Sequence, residues 1–138
     1  MNASILDRRH ATARDTRATW AGRVLSGLSV LFLSADAAGK LIAPHAMIAY
    51  SPPLGLPADP SLYRLIGAVL AVCIGLHLWR RTAILGAILL TGFLGGAIAV
   101  NLRAEMPLFG NTLFGLYLGI LLWAGFWLRD ARVRSLVG

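Results

Sequence analysis

An all-α integral membrane bundle of four antiparallel helices is the fold this sequence predicts, on three observations. Hydrophobic residues make up 57% of the 138, with a mean hydropathy of +0.70, too apolar for a soluble fold of that length. They fall in four runs, each near the ~20 residues that cross a ~30 Å hydrocarbon core at a rise of about 1.5 Å per residue. The charged residues gather in short clusters between the runs instead of along one face, so the net charge of +7 reads as topology and not as a nucleic-acid footprint.

Residues 1–18 carry Arg8, Arg9, Arg14 and Arg17, lack apolar periodicity, and read as a basic cytoplasmic tail lying on lipid headgroups. The membrane domain follows over 19–130, and a short basic C-terminal tail occupies 131–138. The first span, 20–41, is interrupted only by Arg23, Asp36 and Lys40. Ala35-Asp36-Ala37 resembles a signal-peptide cleavage site, but the run before it is long enough to span, so retention of the helix is expected. Pro44, Pro52, Pro53, Pro57 and Pro60 forbid a continuous helix across the next loop, with one interfacial turn expected around Met47 to Tyr50. Asp59 followed by Pro60 has the form of an N-cap and first helical residue, opening a second span over 61–79. Arg80-Arg81 leaves so short a turn that the third span, 82–101, must return as a hairpin partner. Pro107, Gly110 and Asn111 break the chain before the fourth span, 112–128.

Ten of the thirteen Lys and Arg residues lie in the tail with Arg23, the Arg80-Arg81 turn and the C-terminal segment; only Lys40, Arg64 and Arg103 lie at the other end. Trp20, Trp79, Trp123 and Trp127 fall toward the arginine-rich end. Both patterns predict an N-in, C-in arrangement, with both ends on the cytoplasmic side of the membrane. Small residues four apart predict close helix packing: Ala35 with Gly39, Gly67 with Ala71 and Gly75, Gly92 with Gly96, and Gly115 with Gly119. A stripe that does not face inward is a candidate seam for a homo-oligomer.

Asp36 and Lys40 share one face of the first helix, about 6 Å apart along its axis, and can neutralise one another. An intramembrane carboxylate is costly, which makes Asp36 a functional candidate as well as half of a structural ion pair. Arg64, Asn101, Arg103 and Glu105 fall in the same leaflet, so these six residues form the candidate ligand-binding cluster. His77 has no second intramembrane histidine and reads as a packed or interfacial residue, so no metal site is expected. Cys73 is the single cysteine of the sequence and lies inside an apolar run, so an intramolecular disulfide and CxxC chemistry are excluded. There is no phosphate-binding glycine loop, serine elbow or HExxH, hence no catalytic signature.

Asp36-Ala37-Ala38-Gly39-Lys40-Leu41, the run Arg81 to Leu90 (RTAILGAILL), Gly95-Gly96-Ala97, Asn101-Leu102-Arg103, Pro107-Leu108-Phe109 and Leu128-Arg129-Asp130 together resemble the DoxX-like family of small bacterial membrane proteins. The resemblance covers roughly residues 20–135. It implies a four-helix membrane protein linked by its family name to quinone-linked oxidation, with oxidoreductase partners reported for some relatives. Many relatives carry histidine where this chain has Asn101, which cannot titrate.

Two functions are therefore expected, both in contact with the lipid bilayer. One is a non-catalytic membrane subunit or scaffold for a membrane-associated oxidoreductase, with no cofactor of its own evident. The other is a binder or enzyme of a lipophilic small molecule, a quinone or isoprenoid, held by the polar cluster. Transport by a monomer lacks a polar path through the inner halves of the spans.

Overall fold

The computed structural model describes residues 2–51 and 54–138; Pro52 and Pro53 lie outside the described residues. All regular structure among them is helical. Helix α1 runs without interruption over Asn2–Ile42. Residues 2–18 have no apolar face of their own and are helical because they continue a nucleated helix, where each added residue gains one hydrogen bond. No proline occurs before Pro44 to stop it. The Thr12, Thr16 and Thr19 hydroxyls donate to the carbonyls of Arg8, Thr12 and Asp15 one turn back, so these side chains do not compete for the ladder.

The interfacial turn expected in the first loop is α2, Pro44–Tyr50, with Pro44 at its first position. Helix α3 covers Pro60–Leu78, and the Asp59 carboxylate accepts from the Ser61 amide at 2.9 Å, the cap that the Asp-Pro pair predicts. The Thr82 hydroxyl donates to Leu76 O at 2.8 Å and closes the hairpin into α4, Ala83–Arg103. A single π-type turn, Leu108–Thr112, precedes α5, Phe114–Arg129. Helix α6, Ala131–Val137, is capped by Asp130 accepting from the Arg132 amide at 2.9 Å. The observed α3, α4 and α5 begin and end within two residues of the expected spans, and four segments are long and apolar enough to cross a membrane.

The four long helices pack in cyclic order, α1 on α3, α3 on α4, α4 on α5 and α5 on α1. Leu33, Leu70, Leu90, Leu122 and Phe126 fill the centre. Only 22–33% of each apolar window is buried inside the bundle. Much of the remainder, including Leu31, Val72, Ile88 and Ile120, is exposed and requires an apolar solvent, which separates a membrane bundle from a soluble one.

Lipid is as apolar as these side chains, so the helices are held by close packing and polar contacts rather than by burial from water. Gly22 meets Gly125, Gly67 meets Ala37 and Lys40 of α1, Gly86 meets the backbone at His77, and Gly115 meets Leu94. The expected stripes are thus used selectively. A methyl group on Gly75, Gly92 or Gly96 would touch nothing among the described residues, because those positions face outward.

Candidate functional site

The Asp36 end of the bundle contains a cavity of about 420 Å³ bounded by α1, α4, the π-type turn and the start of α5. Its walls are apolar and aromatic: Phe32, Phe93, Ile98 and Phe114. Phe32 and Phe114 meet edge to face with centroids 4.9 Å apart, and both are substantially exposed. Its polar groups are Asp36, Asn101, Asn111 and Thr112. An apolar volume with few polar groups suits an amphiphile of modest size, within the roughly 300–1,000 Å³ of small-molecule sites.

The six sequence candidates separate here. Asp36 and Asn101 line the cavity together, although 65 residues apart in the chain. Lys40 forms an ion pair with Asp36, and its aliphatic stem packs against Gly67. The pair places a cation beside the carboxylate without bringing the ammonium into the cavity wall. Asn101 donates from Nδ2 to Ala97 O at 2.8 Å, leaving its amide oxygen as an acceptor.

Arg64, Arg103 and Glu105 do not line this cavity. Arg64 is exposed on α3. Arg103 reaches the loop and donates to Gly55 O at 3.4 Å. Glu105 acts through its backbone: its φ of 52° is left-handed, and it ends α4 with Glu105 N–H donating to Leu102 O and Met106 N–H to Asn101 O, both at 3.1 Å. That pair of bonds is a Schellman stop, a position usually held by glycine.

The sequence marks Asn111 only as part of a break and Thr112 only as the first residue of the fourth span. The wider π-type turn brings them to the cavity, while the Thr112 hydroxyl donates to Met106 O at 3.3 Å. Such turns recur at functional sites. The detectable signal was a pair of polar residues directly ahead of an apolar run.

At the opposite end His77 is buried, as its sequence reading allowed, but it is not isolated. Its Nδ1 lies 3.0 Å from Ala83 O and its Nε2 3.2 Å from Arg129 Nη2. A carbonyl only accepts and a guanidinium only donates, so the partners assign the neutral Nδ1–H tautomer. Among the described residues no three His, Cys, Asp or Glu side chains converge to hold a metal.

Fold and cavity together define a small four-span helical membrane protein with an amphiphile-sized pocket at one end. The profile of the DoxX-like family matches residues 24–125, and the chain belongs to that family. No curated protein and no solved structure matches it.

Proposed function

We propose that this DoxX-like membrane protein binds a lipophilic small molecule with a polar head, of the quinone or isoprenoid type, in the Asp36 cavity. The observation that carries this reading is the joining of aromatic walls to a polar group formed by Asp36, Asn101, Asn111 and Thr112. Asp36 and the Asn101 oxygen accept hydrogen bonds from a quinol or prenyl-alcohol hydroxyl, the Asn111 amide group supplies the donor that a quinone carbonyl needs, and Lys40 keeps the carboxylate compensated when the site is empty. The arginine count supports an N-in, C-in arrangement in the inner membrane, which puts the cavity in the outer leaflet.

A second reading, a non-catalytic subunit recruiting a membrane-associated oxidoreductase, is favoured by the exposed basic extension of α1. Self-association would use the outward-facing Gly92 and Gly96, and disulfide trapping of Gly92→Cys tests it.

Extraction into polymer nanodiscs with native lipid, followed by mass spectrometry, separates the two readings. Retention of a quinone or isoprenoid by the wild type and its loss from Asp36→Asn and from Asn101→Leu supports the binding site. Equal retention by all three chains, or by none, overturns it. A stoichiometric oxidoreductase retained by every variant supports the scaffold.

A further inference from the structure

Along the chain the arginines mark one end of the bundle, but in space five of them converge. Arg23 of α1, Arg80 of the α3–α4 turn, Arg129 of α5, and Arg132 and Arg134 of α6 line one cavity of about 650 Å³, floored by Phe126 and Ala83. The only carboxylate in its wall is Asp130, and Arg132 occupies it, with Nη2 2.9 Å from Oδ2 and Nε 3.3 Å from Oδ1. Arg134 donates to the carbonyls of Trp127 and Leu128 at the end of α5, and Arg129 donates to His77. The Arg23 and Arg80 guanidinium groups make no hydrogen bond or ion pair among the described residues. Arg23 and Arg129 lie close enough for their charges to repel.

A topological signal needs arginines at one end of the spans, not arginines from four separate elements around a single space. Five cations facing one engaged anion leave an excess positive charge beside an apolar floor; Arg23, Arg80, Arg132 and Arg134 are exposed, so an anion reaches them from solvent or from the headgroup layer. Guanidinium forks match the tetrahedral oxygens of a phosphate group, and basic cavities between membrane helices take phosphorylated headgroups. Exposed Trp20, Trp79 and Trp127 belong to the same end and mark the headgroup level.

We propose that this cavity is a binding site for a phosphate-bearing anion, held directly by Arg23 and Arg80 and backed by Arg129. It lies at the other end of the bundle from the Asp36 cavity and does not depend on the reading of that site. The phosphate comes either from an anionic lipid headgroup or from a soluble phosphate compound.

The full chain, reconstituted in phosphatidylcholine nanodiscs with a minor fraction of phosphatidylglycerol, is compared with Arg23→Gln/Arg80→Gln and with Arg8→Gln/Arg9→Gln, which removes equal charge from the exposed part of α1. Native mass spectrometry reads bound phosphatidylglycerol, and a parallel titration with inorganic phosphate and pyrophosphate in pure phosphatidylcholine is read by phosphorus NMR. A lipid site shows retained phosphatidylglycerol that falls about tenfold in the cavity variant and is unchanged in the control. A soluble-ligand site shows the same difference in the titration instead. Equal loss from both variants, or no loss from either, overturns the proposal. Arg80→Glu alone, in an exposed turn, gives the same readout where the double variant fails to fold.

Discussion

Gly22 of α1 and Gly125 of α5 face each other so closely that a methyl group on Gly22 would sit 2.7 Å from Gly125 O, and one on Gly125 would sit 2.8 Å from Gly22 O. The obstruction is backbone on both sides, so no side chain can rotate to relieve it. This crossing sets the spacing of two helices that carry walls of both cavities.

Gly125→Ala is therefore expected to destabilise the bundle by about 1–3 kcal/mol or to splay α1 from α5. Gly96→Ala, which meets open space, should change stability by less than about 0.5 kcal/mol. Thermal unfolding in detergent, followed by circular dichroism, checks the pair, and equal behaviour of the two variants would reject the crossing.

Ser26 and Ser29 are both buried on α1 but differ in partners. The Ser29 hydroxyl donates to Leu118 O at 3.3 Å, whereas Ser26 Oγ has no partner among the described residues. Ser26→Ala should be neutral or stabilising by about 1 kcal/mol, and Ser29→Ala destabilising by about 0.6–1 kcal/mol. Ser26→Ala will not rescue Gly125→Ala, because the added methyl also meets the Ser26 amide nitrogen at 2.5 Å. The same unfolding measurement, on single and double variants, gives the coupling.

Glu105 holds a left-handed backbone conformation at the end of α4, which costs a non-glycine residue about 1 kcal/mol. Glu105→Gly should raise stability by roughly that amount, and Glu105→Val should lower it by at least as much. A loss on introducing glycine would show that the carboxylate itself holds this turn.

The Arg132 guanidinium beside Asp130 holds that carboxyl below the ordinary carboxylate range. A depressed folded-state value means that its stabilisation is present above the unfolded value of about 3.9 and is lost as pH falls through the folded one. Arg132 is 48% exposed, so solvent screens the pair and its contribution to stability is small. Amide protection across α6, normalised for intrinsic exchange, should therefore be flat from pH 8 to about 5 and fall below about 3.9. Asp130→Asn should abolish the acid-dependent part while keeping the cap, and Asp130→Ala should lose about 1 kcal/mol of local stability throughout.

The spans and their order were legible because apolar runs of membrane length, proline breaks and the Asp59-Pro60 start are local signals. Asp36 with Lys40 was legible for the same reason, since residues four apart must share a helix face. What brings Asn101 to Asp36, but leaves Arg103 and Glu105 elsewhere, is the rotation of α4 and the way its last turn stops, which follow from contacts between helices distant in sequence. The Gly22–Gly125 crossing was missed because each glycine's partner lies on another helix, outside any four-residue stripe. The arginine cavity was hidden by a count that recorded which end each charge occupies and not where it converges.

Helix α1 carries one further consequence. From Asn2 to Ile42 its hydrogen-bond ladder is unbroken, so the exposed arginines near its start and Asp36 near its end belong to a single stiff shaft about 60 Å long. That length is about twice the ~30 Å hydrocarbon core. The rod that forms one wall of the Asp36 chamber is therefore the same rod that stands clear of the bundle at Arg8 and Arg9, with no joint between the two ends.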